Sequence, residues 1–276
     1  MSGFYRQIQM LSLDVVVGAV TSGGMVARLL DVEMPWIWWI ALPVSVWVIY
    51  TADHLLDAWR LGESAHTERH LFHHHHFRAI ATIWLILLLF CLFILPFLIP
   101  LPLLWFGMGM GGLVLIHLGL VQWVGAKTSL LLHKELGVAS IYAGGVWGGP
   151  VAMAWDHLEQ IPFSLFAQFF LLALINLLIF SLYEMETDTR DGHTSFVRAI
   201  GAQKAMRLIW ALGLLVVLAG VFGWETGTFH YGKTQVIYGI MLTILLMLAI
   251  RQETFRPGDK YRAWGDAVFL LTLMGW

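Results

Sequence analysis

The chain has 276 residues, of which 59% are hydrophobic and only 12% are charged, with a formal net charge of −2. A soluble domain has roughly 45–50% apolar and about 25% charged residues. The composition therefore excludes a soluble globular protein and predicts an integral membrane protein. The single cysteine, Cys91, excludes a disulfide within the chain. Nothing in the charge balance points to a nucleic-acid partner, and we expect none.

Apolar segments recur along the chain at about the length of ~20 residues that crosses a bilayer as a helix. They predict an all-α bundle of about nine transmembrane helices in one transmembrane domain, residues 1–276. The predicted spans are residues 11–30, 35–56, 80–101, 103–124, 134–155, 163–185, 205–224, 234–251 and 262–276. Two polar segments, about 58–79 and 186–204, are predicted to be the loops that carry a site.

Basic residues fall almost entirely on one side of this predicted topology. If the N-terminus is cytoplasmic and the spans alternate, only Arg28 and Lys233 lie on the other side. Lys and Arg are enriched in cytoplasmic loops of membrane proteins. We therefore expect a cytoplasmic N-terminus, both polar loops in the cytoplasm, and a multi-pass protein of a cell membrane, with a bacterial inner membrane as the expected location.

Two of the predicted spans end in carboxylates about one helical turn apart. The first cluster is Asp53 and Asp57, and the second is Glu184, Asp188 and Asp191. Like charges at this spacing repel, and a carboxylate in the bilayer costs on the order of 2.5–3.5 kcal/mol on insertion scales. A cation between the carboxylates reverses both penalties. Mg²⁺ favours one or two carboxylates completed by phosphate oxygens and waters, so we expect the two clusters to share Mg²⁺.

Basic residues accompany both acid clusters. Arg60 follows the first, Arg190 lies inside the second, and Lys134 opens the fifth predicted span. Cations beside metal-binding carboxylates suit a polyanion such as diphosphate, because they hold its oxygens while the metal bridges them. Lys134, Arg60 and Arg190 are therefore the expected diphosphate-binding residues.

This layout resembles the UbiA-type intramembrane prenyltransferases, which have nine helices and two Asp-rich motifs after helices two and six. The family's first motif reads roughly Asn-Asp-x-x-Asp-x-x-x-Asp. In this chain its four positions are Asp53, His54, Asp57 and Leu61. His54 and Leu61 thus stand where the family has aspartates.

The family's second motif, Asp-x-x-x-Asp-Gly, is matched loosely by Asp188, Asp191 and Gly192. Glu184 stands one turn earlier, where the family often has Asn. Lys134 resembles the lysine that opens the family's fifth helix.

The resemblance implies a Mg²⁺-dependent prenyltransferase that moves a prenyl group from an isoprenoid diphosphate to a lipophilic acceptor inside the membrane. Asp53, Asp57, Asp188 and Asp191 would be catalytic and, with Glu184, would hold the metal. An alternative on the same donor is terpene cyclisation, in which the chain's own double bond attacks. The oligomeric state stays open.

Two other classes of function are compatible with parts of the sequence. The histidines between His66 and His76 have the His-x-x-x-His and His-x-x-His-His spacings of membrane di-iron oxygenases, whose iron suits imidazole ligands. The same segment also fits a solvated loop that binds metal only adventitiously, or a loop that closes over the diphosphate with Arg60 and Arg69. A non-catalytic transporter or binding protein is the other alternative, since acids within membrane segments also mark ion pathways. Asp14 and Asp266, near the ends of the first and last predicted spans, are the acids that would serve such a pathway inside the membrane.

Overall fold

The structure is a computed structural model that describes residues 3–62, 68–124, 132–156, 162–190, 195–223 and 229–276. Every regular element in these ranges is helical. The α-helices are α1 (Gly3–Met10), α2 (Leu13–Leu29), α3 (Trp38–Leu61), α4 (Glu68–His75), α5 (Phe77–Phe93), α6 (Leu101–Val124), α7 (Leu132–Met153), α8 (Phe163–Arg190), α9 (Phe196–Ile200), α10 (Ala202–Gly223), α11 (Phe229–Ile250), α12 (Gln252–Phe255) and α13 (Lys260–Ala267). Short 3₁₀ segments cover Leu95–Phe97, Pro257–Asp259 and Val268–Gly275.

Seven helices in the described ranges are long and apolar enough to cross a membrane, namely α3, α5, α6, α7, α8, α10 and α11. The prediction of an all-α membrane bundle is therefore confirmed. The predicted first and last spans form shorter helices: α2 has 17 residues, and the final segment divides into α13 and the 3₁₀ segment Val268–Gly275. The count of nine spans and the side of the N-terminus remain predictions.

The two polar segments predicted to be loops are partly helical. α3 continues to Leu61, α4 lies inside the predicted loop 58–79, and α8 runs on to Arg190. Local sequence explains where α4 and α9 begin. Glu68 places a negative charge in the first turn of α4, which favours the positive end of the helix dipole. Ser195 caps α9, because its Oγ accepts a hydrogen bond from the Arg198 N–H at 3.4 Å.

α8 forms the centre of the bundle and packs against α7, α10 and α11. Its side chains Leu172, Ile175 and Ile179 are fully buried. Phe169 packs among aromatic rings from three other elements, including the stacked ring of Tyr142 at 5.9 Å. Because lipid is as apolar as these side chains, close packing holds the helices together here. α8 therefore provides a fixed wall for any site at its ends.

The N-terminal and C-terminal parts of the chain are joined at α2, which packs along the 3₁₀ segment Val268–Gly275. The Ser22 and Thr272 hydroxyls lie 3.2 Å apart, and the Trp276 indole N–H donates to the Thr21 carbonyl at 2.8 Å. These contacts place α13, which directly precedes the 3₁₀ segment, beside the acid-bearing end of α8.

Candidate functional site

A cavity of about 220 Å³ lies at the end of the bundle where α3 and α8 carry their acids. Three helices line it with side chains spaced three or four residues apart. Residues at these spacings share one helix face, so each stripe covers about 10–12 Å of depth. The stripes are Asp57, Asp53 and Tyr50 on α3, with Lys134, Val138 and Tyr142 on α7, and Glu184, Phe180 and Asn176 on α8.

The first acid cluster lies on the α3 wall of this cavity. Asp53 and Asp57 both line it, and both are partly buried. His54 also lines the cavity and is buried, and its Nε2 lies 3.1 Å from the Ser12 Oγ and 3.4 Å from the Arg69 Nη1. Because a guanidinium only donates, Nε2 is the acceptor nitrogen of a neutral imidazole. The family's aspartate position therefore carries a neutral side chain that contacts an arginine.

α4 holds that arginine at the cavity. The His73 Nδ1–H donates to the Arg69 carbonyl at 2.9 Å, and the His73 ring lies 5.0 Å from the ring of His54. Burial lowers the pKa of His73, which keeps this imidazole neutral. Burial is the main cause that lowers the pKa of Arg69; the like charge of Arg262 lowers it further, while the acids Asp266, Asp14 and Glu184 act in the opposite direction.

The second acid position is held in an ion pair. The Glu184 Oε1 lies 2.5 Å from the Arg262 Nη2 and accepts a hydrogen bond from the Tyr261 hydroxyl at 2.8 Å. The guanidinium carbon of Arg262 is 5.6 Å from the ring centre of Phe180, and the Tyr261 ring stacks on Tyr183 at 4.2 Å. α13 therefore neutralises and orients the carboxylate that closes the α8 stripe.

Lys134 enters the cavity from the first turn of α7, as the sequence predicted for a residue that opens this span. The adjacent Glu135 is buried and fixes this end of the helix. Its Oε1 accepts a hydrogen bond from the Ser181 hydroxyl and another from the Phe196 N–H, each at 3.1 Å. Glu135 thus ties α7 to α8 and α9 around the cavity rim.

The structure brings together four of the residues that the sequence singled out, namely Asp53, Asp57, Lys134 and Glu184. Arg60 is exposed on the last turn of α3 and does not line the cavity. The backbone of Asp188 and Arg190 belongs to α8, but their side chains lie outside the described part of the chain, as does the whole of Asp191.

Four carboxylates among the described residues line the cavity, namely Asp53, Asp57, Glu184 and Asp266. Asp53 and Asp57 offer the hard carboxylate oxygens that Mg²⁺ prefers, with phosphate oxygens and waters to complete the shell. Glu184 is already engaged by Arg262 and Tyr261. Within the described ranges, no three His, Cys, Asp or Glu side chains form a ready metal-binding group. Asp53 and Asp57 are therefore the described residues whose chemistry fits a Mg²⁺ site that a phosphate ligand would complete.

The histidines of the rival di-iron interpretation do not converge in the described part of the chain. His73 is buried against Arg69, whereas His75 and His76 are exposed. His66 and the side chain of His70 lie outside the described residues.

Sequence reasoning assigned no role to four polar or charged residues that line the cavity: Arg262, Asn176, Tyr142 and Ser181. Arg262 had a detectable signal, because it stands four residues before Asp266 and so shares a helix face with that acid. Asp266 lines the cavity, whereas the sequence offered it only as a possible ion-pathway acid. Of the two arginines that the sequence offered for a loop over the diphosphate, Arg69 lines the cavity and Arg60 does not.

The fold is similar to solved structures of UbiA-type proteins. A UbiA homolog from Aeropyrum pernix K1, in its apo form, superposes with a TM-score of 0.66 at 14% sequence identity, covering 94% of this chain and 96% of that chain. A digeranylgeranylglyceryl phosphate synthase superposes with a TM-score of 0.61 at 12% identity, covering 100% of this chain and 99% of that chain. No protein-family model and no curated protein matches the sequence. The chain therefore has the UbiA-type fold, as its motif resemblance predicted, in a divergent sequence.

Proposed function

We propose that the protein is a membrane prenyltransferase that uses an isoprenoid diphosphate as donor and a lipophilic molecule as acceptor. The observation that carries this proposal is the convergence of the α3 acids, Lys134 and the Glu184–Arg262 pair on one cavity at the end of the bundle. The UbiA-type fold supports it, because one protein that shares the fold is a digeranylgeranylglyceryl phosphate synthase.

The rim of the cavity would bind the diphosphate. Lys134 offers a cationic donor for phosphate oxygens, and Asp53 and Asp57 would hold Mg²⁺ together with Asp188 and Asp191. Mg²⁺ bound there would neutralise charge on the departing diphosphate. Arg60 and Arg190 remain diphosphate-binding residues by prediction from the sequence.

The deeper wall would receive the reacting end of the isoprenoid. Val138, Leu177, Phe180 and Phe269 line this part of the cavity. The aromatic faces of Phe180 and Phe269 would stabilise an allylic cation by about 0.5–2 kcal/mol each. Exclusion of water by this apolar wall would protect the cation from quenching.

The orientation follows from the charge pattern of the sequence. We propose that the cavity faces the cytoplasm, with the N-terminus on the same side, in a cell membrane that we expect to be a bacterial inner membrane.

The proposal is tested by incubating the full-length protein in lipid nanodiscs with Mg²⁺ and prenyl diphosphates of several chain lengths. We expect pyrophosphate release that requires a membrane lipid extract as the source of acceptor. Release without any acceptor would favour the terpene cyclase instead. Binding of a donor without release under either condition would favour a non-catalytic binding protein, and absence of binding to any donor would contradict the proposal.

A further inference from the structure

A second cavity, outside the candidate site, opens where the ends of α3, α4 and α5 meet. This crevice has a volume of about 530 Å³ and is lined chiefly by Trp59, His74, His75, His76, Phe77 and Arg78. Pockets that hold small molecules have volumes of roughly 300–1,000 Å³. Among the described residues, no acid lines the crevice, and none of its residues lines the candidate cavity. The crevice is therefore a separate feature that the proposed prenyl transfer does not use.

The crevice and the candidate cavity lie on opposite faces of α3. With 3.6 residues per turn, Trp59 points about 200° around the helix from Asp57, which lines the candidate cavity. By length and apolar composition, the span on α3 ends at Arg60 and the span on α5 begins at Phe77. The crevice therefore lies at the level where these spans leave the membrane. Trp59, which is 75% exposed, has the placement typical of interfacial tryptophans.

The crevice offers positive charge and hydrogen-bond donors. Arg78 is exposed, and within the described ranges its guanidinium has no ion pair or hydrogen bond. A guanidinium carries five N–H donors in a planar fork that suits a phosphate. The rings of His74 and His75 lie 6.0 Å apart, and each neutral imidazole keeps one N–H donor in either tautomer. The donors of these three residues therefore share one crevice.

A metal ion matches the same histidines less well than an anion does. The His76 Nδ1–H donates to the Phe72 carbonyl at 3.0 Å, so one of its two ring nitrogens is already engaged. No three His, Cys, Asp or Glu side chains in the described part of the chain are grouped as a metal ion requires. Glu68 stands at the other end of α4 and pairs with Arg6. The crevice therefore suits an anion.

The position of the crevice favours a phospholipid of the surrounding leaflet as that anion. Trp59 and Phe77 give the crevice apolar walls. About two turns farther along α5, Ile83 and Ile86 are exposed where acyl chains would cover them. Basic pockets between transmembrane helices bind the headgroups of anionic lipids. A soluble phosphate compound would use the donors of the crevice but would gain nothing from its apolar walls.

We propose that the crevice binds the headgroup of an anionic phospholipid. The phosphate would contact Arg78, His74 and His75, and the acyl chains would lie against Trp59 and α5. A zwitterionic phospholipid has the same phosphate but adds a choline cation, which Arg78 would repel, so the crevice should select lipids with a net negative charge. The proposal is independent of the enzymatic activity, because the residues of the crevice are not those of the candidate site.

The test measures phospholipid binding to the full-length protein in detergent micelles by native mass spectrometry. The protein is titrated with phosphatidylglycerol or with phosphatidylcholine of the same acyl chains. We expect the first phosphatidylglycerol to bind about tenfold more tightly than the first phosphatidylcholine. Equal affinity for the two lipids would overturn the proposal.

Variants of the crevice test which side chains bind the headgroup. Arg78→Gln should weaken binding of the first phosphatidylglycerol about tenfold, as expected for loss of hydrogen bonds from a charged group. Arg78→Lys keeps the charge but loses the fork and should show an intermediate loss. Replacing His74 and His75 together by leucine removes two neutral donors and should weaken binding about fivefold. Full affinity in Arg78→Gln or in the double histidine variant would overturn the proposal.

Arg207→Gln is the matched control for Arg78→Gln, because Arg207 is also exposed near the start of a long apolar helix but lies outside the crevice. It should change phosphatidylglycerol affinity less than about twofold. Thermal unfolding of each variant is measured in parallel. An equal loss of affinity in Arg207→Gln and Arg78→Gln would show that lipid binds through the general surface charge, and the crevice would be wrong.

A final arm of the test separates a lipid from a soluble phosphate compound. Glycerol 1-phosphate carries the phosphate of the headgroup without acyl chains. If the crevice binds a lipid, a large excess of glycerol 1-phosphate should leave phosphatidylglycerol bound. Displacement of the lipid by glycerol 1-phosphate, together with binding of this compound that Arg78→Gln abolishes, would assign the crevice to a soluble phosphate ligand and overturn the proposal.

Discussion

The two acid-bearing helix ends of this protein hold their charge in different ways. On α3, Asp53 and Asp57 flank a neutral His54 that contacts Ser12 and Arg69. On α8, Glu184 forms an ion pair with an arginine and accepts a hydrogen bond from a tyrosine hydroxyl. The acid on α8 is thus paired directly with an arginine, whereas on α3 the arginine contact is made by the histidine that lies between the two acids.

This difference teaches that spacing alone does not define a metal ligand. Both clusters have carboxylates one turn apart in sequence, and both end long apolar helices. Their tertiary surroundings differ, because α13 brings Arg262 to Glu184 whereas α4 brings Arg69 to the neutral imidazole of His54. The elements packed around each helix end, and not the spacing of its acids, therefore decide what each acid can bind.

The largest expected effect comes from removing a carboxylate charge from the α3 wall of the cavity. Asp57→Asn keeps the side-chain shape but removes a metal-binding charge, so pyrophosphate release should fall about 100-fold or more, as for other groups that stabilise transition-state charge. The same loss is expected for Asp188→Asn. Glu253→Gln, at an exposed position on α12, is the charge-matched control. Near-normal turnover in Asp57→Asn, with the control intact, would remove the metal argument.

Restoring the family's aspartate at position 54 would place a carboxylate beside Arg69, as Glu184 stands beside Arg262. In His54→Asp, a carboxylate would stand beside Asp57 on one side and Arg69 on the other. We expect Mg²⁺ affinity, measured by titration in the presence of pyrophosphate, to rise about tenfold, which corresponds to ~1.4 kcal/mol. His54→Asn is the control, since it is polar but carries no charge. Unchanged Mg²⁺ affinity in both variants would mean that position 54 does not act on the ion.

The pH dependence of stability should come from the contact between α4 and α3, where the His73 ring lies against the ring of His54. Burial lowers the pKa of His73 in the folded protein, and its neighbours are Arg69, His76 and the ring of His54. As pH falls through the ordinary value of ~6.5, the unfolded chain binds a proton before the folded one does. The stability from His73 is therefore complete above about pH 6.5 and is lost as pH falls towards the lowered pKa.

This loss is measured as the fall in thermal unfolding temperature between pH 7.5 and 5.5. His73→Gln should reduce the pH dependence, because glutamine does not titrate and its amide can still donate a hydrogen bond. An equally steep dependence in that variant would assign the effect to another group.

The sequence predicted a membrane protein built entirely from helices, because the lengths of apolar segments and the placement of charges between them can be read locally along the chain. It also predicted that Asp53, Asp57, Lys134 and Glu184 would meet, since residues at the ends of neighbouring spans share one membrane face. The role of Arg262 was not predictable in the same way, because the positive-inside pattern explains any arginine at a span end.

The extents of the polar segments were also poorly predicted. Hydropathy marks where a helix leaves the membrane, but the helix itself ends only where capping and packing end it. α8 therefore continues to Arg190, and α4 forms inside a segment whose composition suggested a loop. The sequence offered Arg69 for a loop over the diphosphate, but it did not predict the helix that carries this residue to the cavity.

The smallest expected effect comes from removing one hydrogen bond to Glu184 on the α8 side of the cavity. Tyr261→Phe loses the 2.8 Å bond to Glu184 but keeps the ring that stacks on Tyr183. We expect stability to fall by about 1 kcal/mol, and pyrophosphate affinity to change less than about twofold, because Arg262 still holds the carboxylate. Tyr183→Phe, which loses a bond of equal length to the Leu248 carbonyl, is the matched control for stability. A large loss of affinity in Tyr261→Phe alone would show that the tyrosine hydroxyl, and not the arginine, sets the position of Glu184.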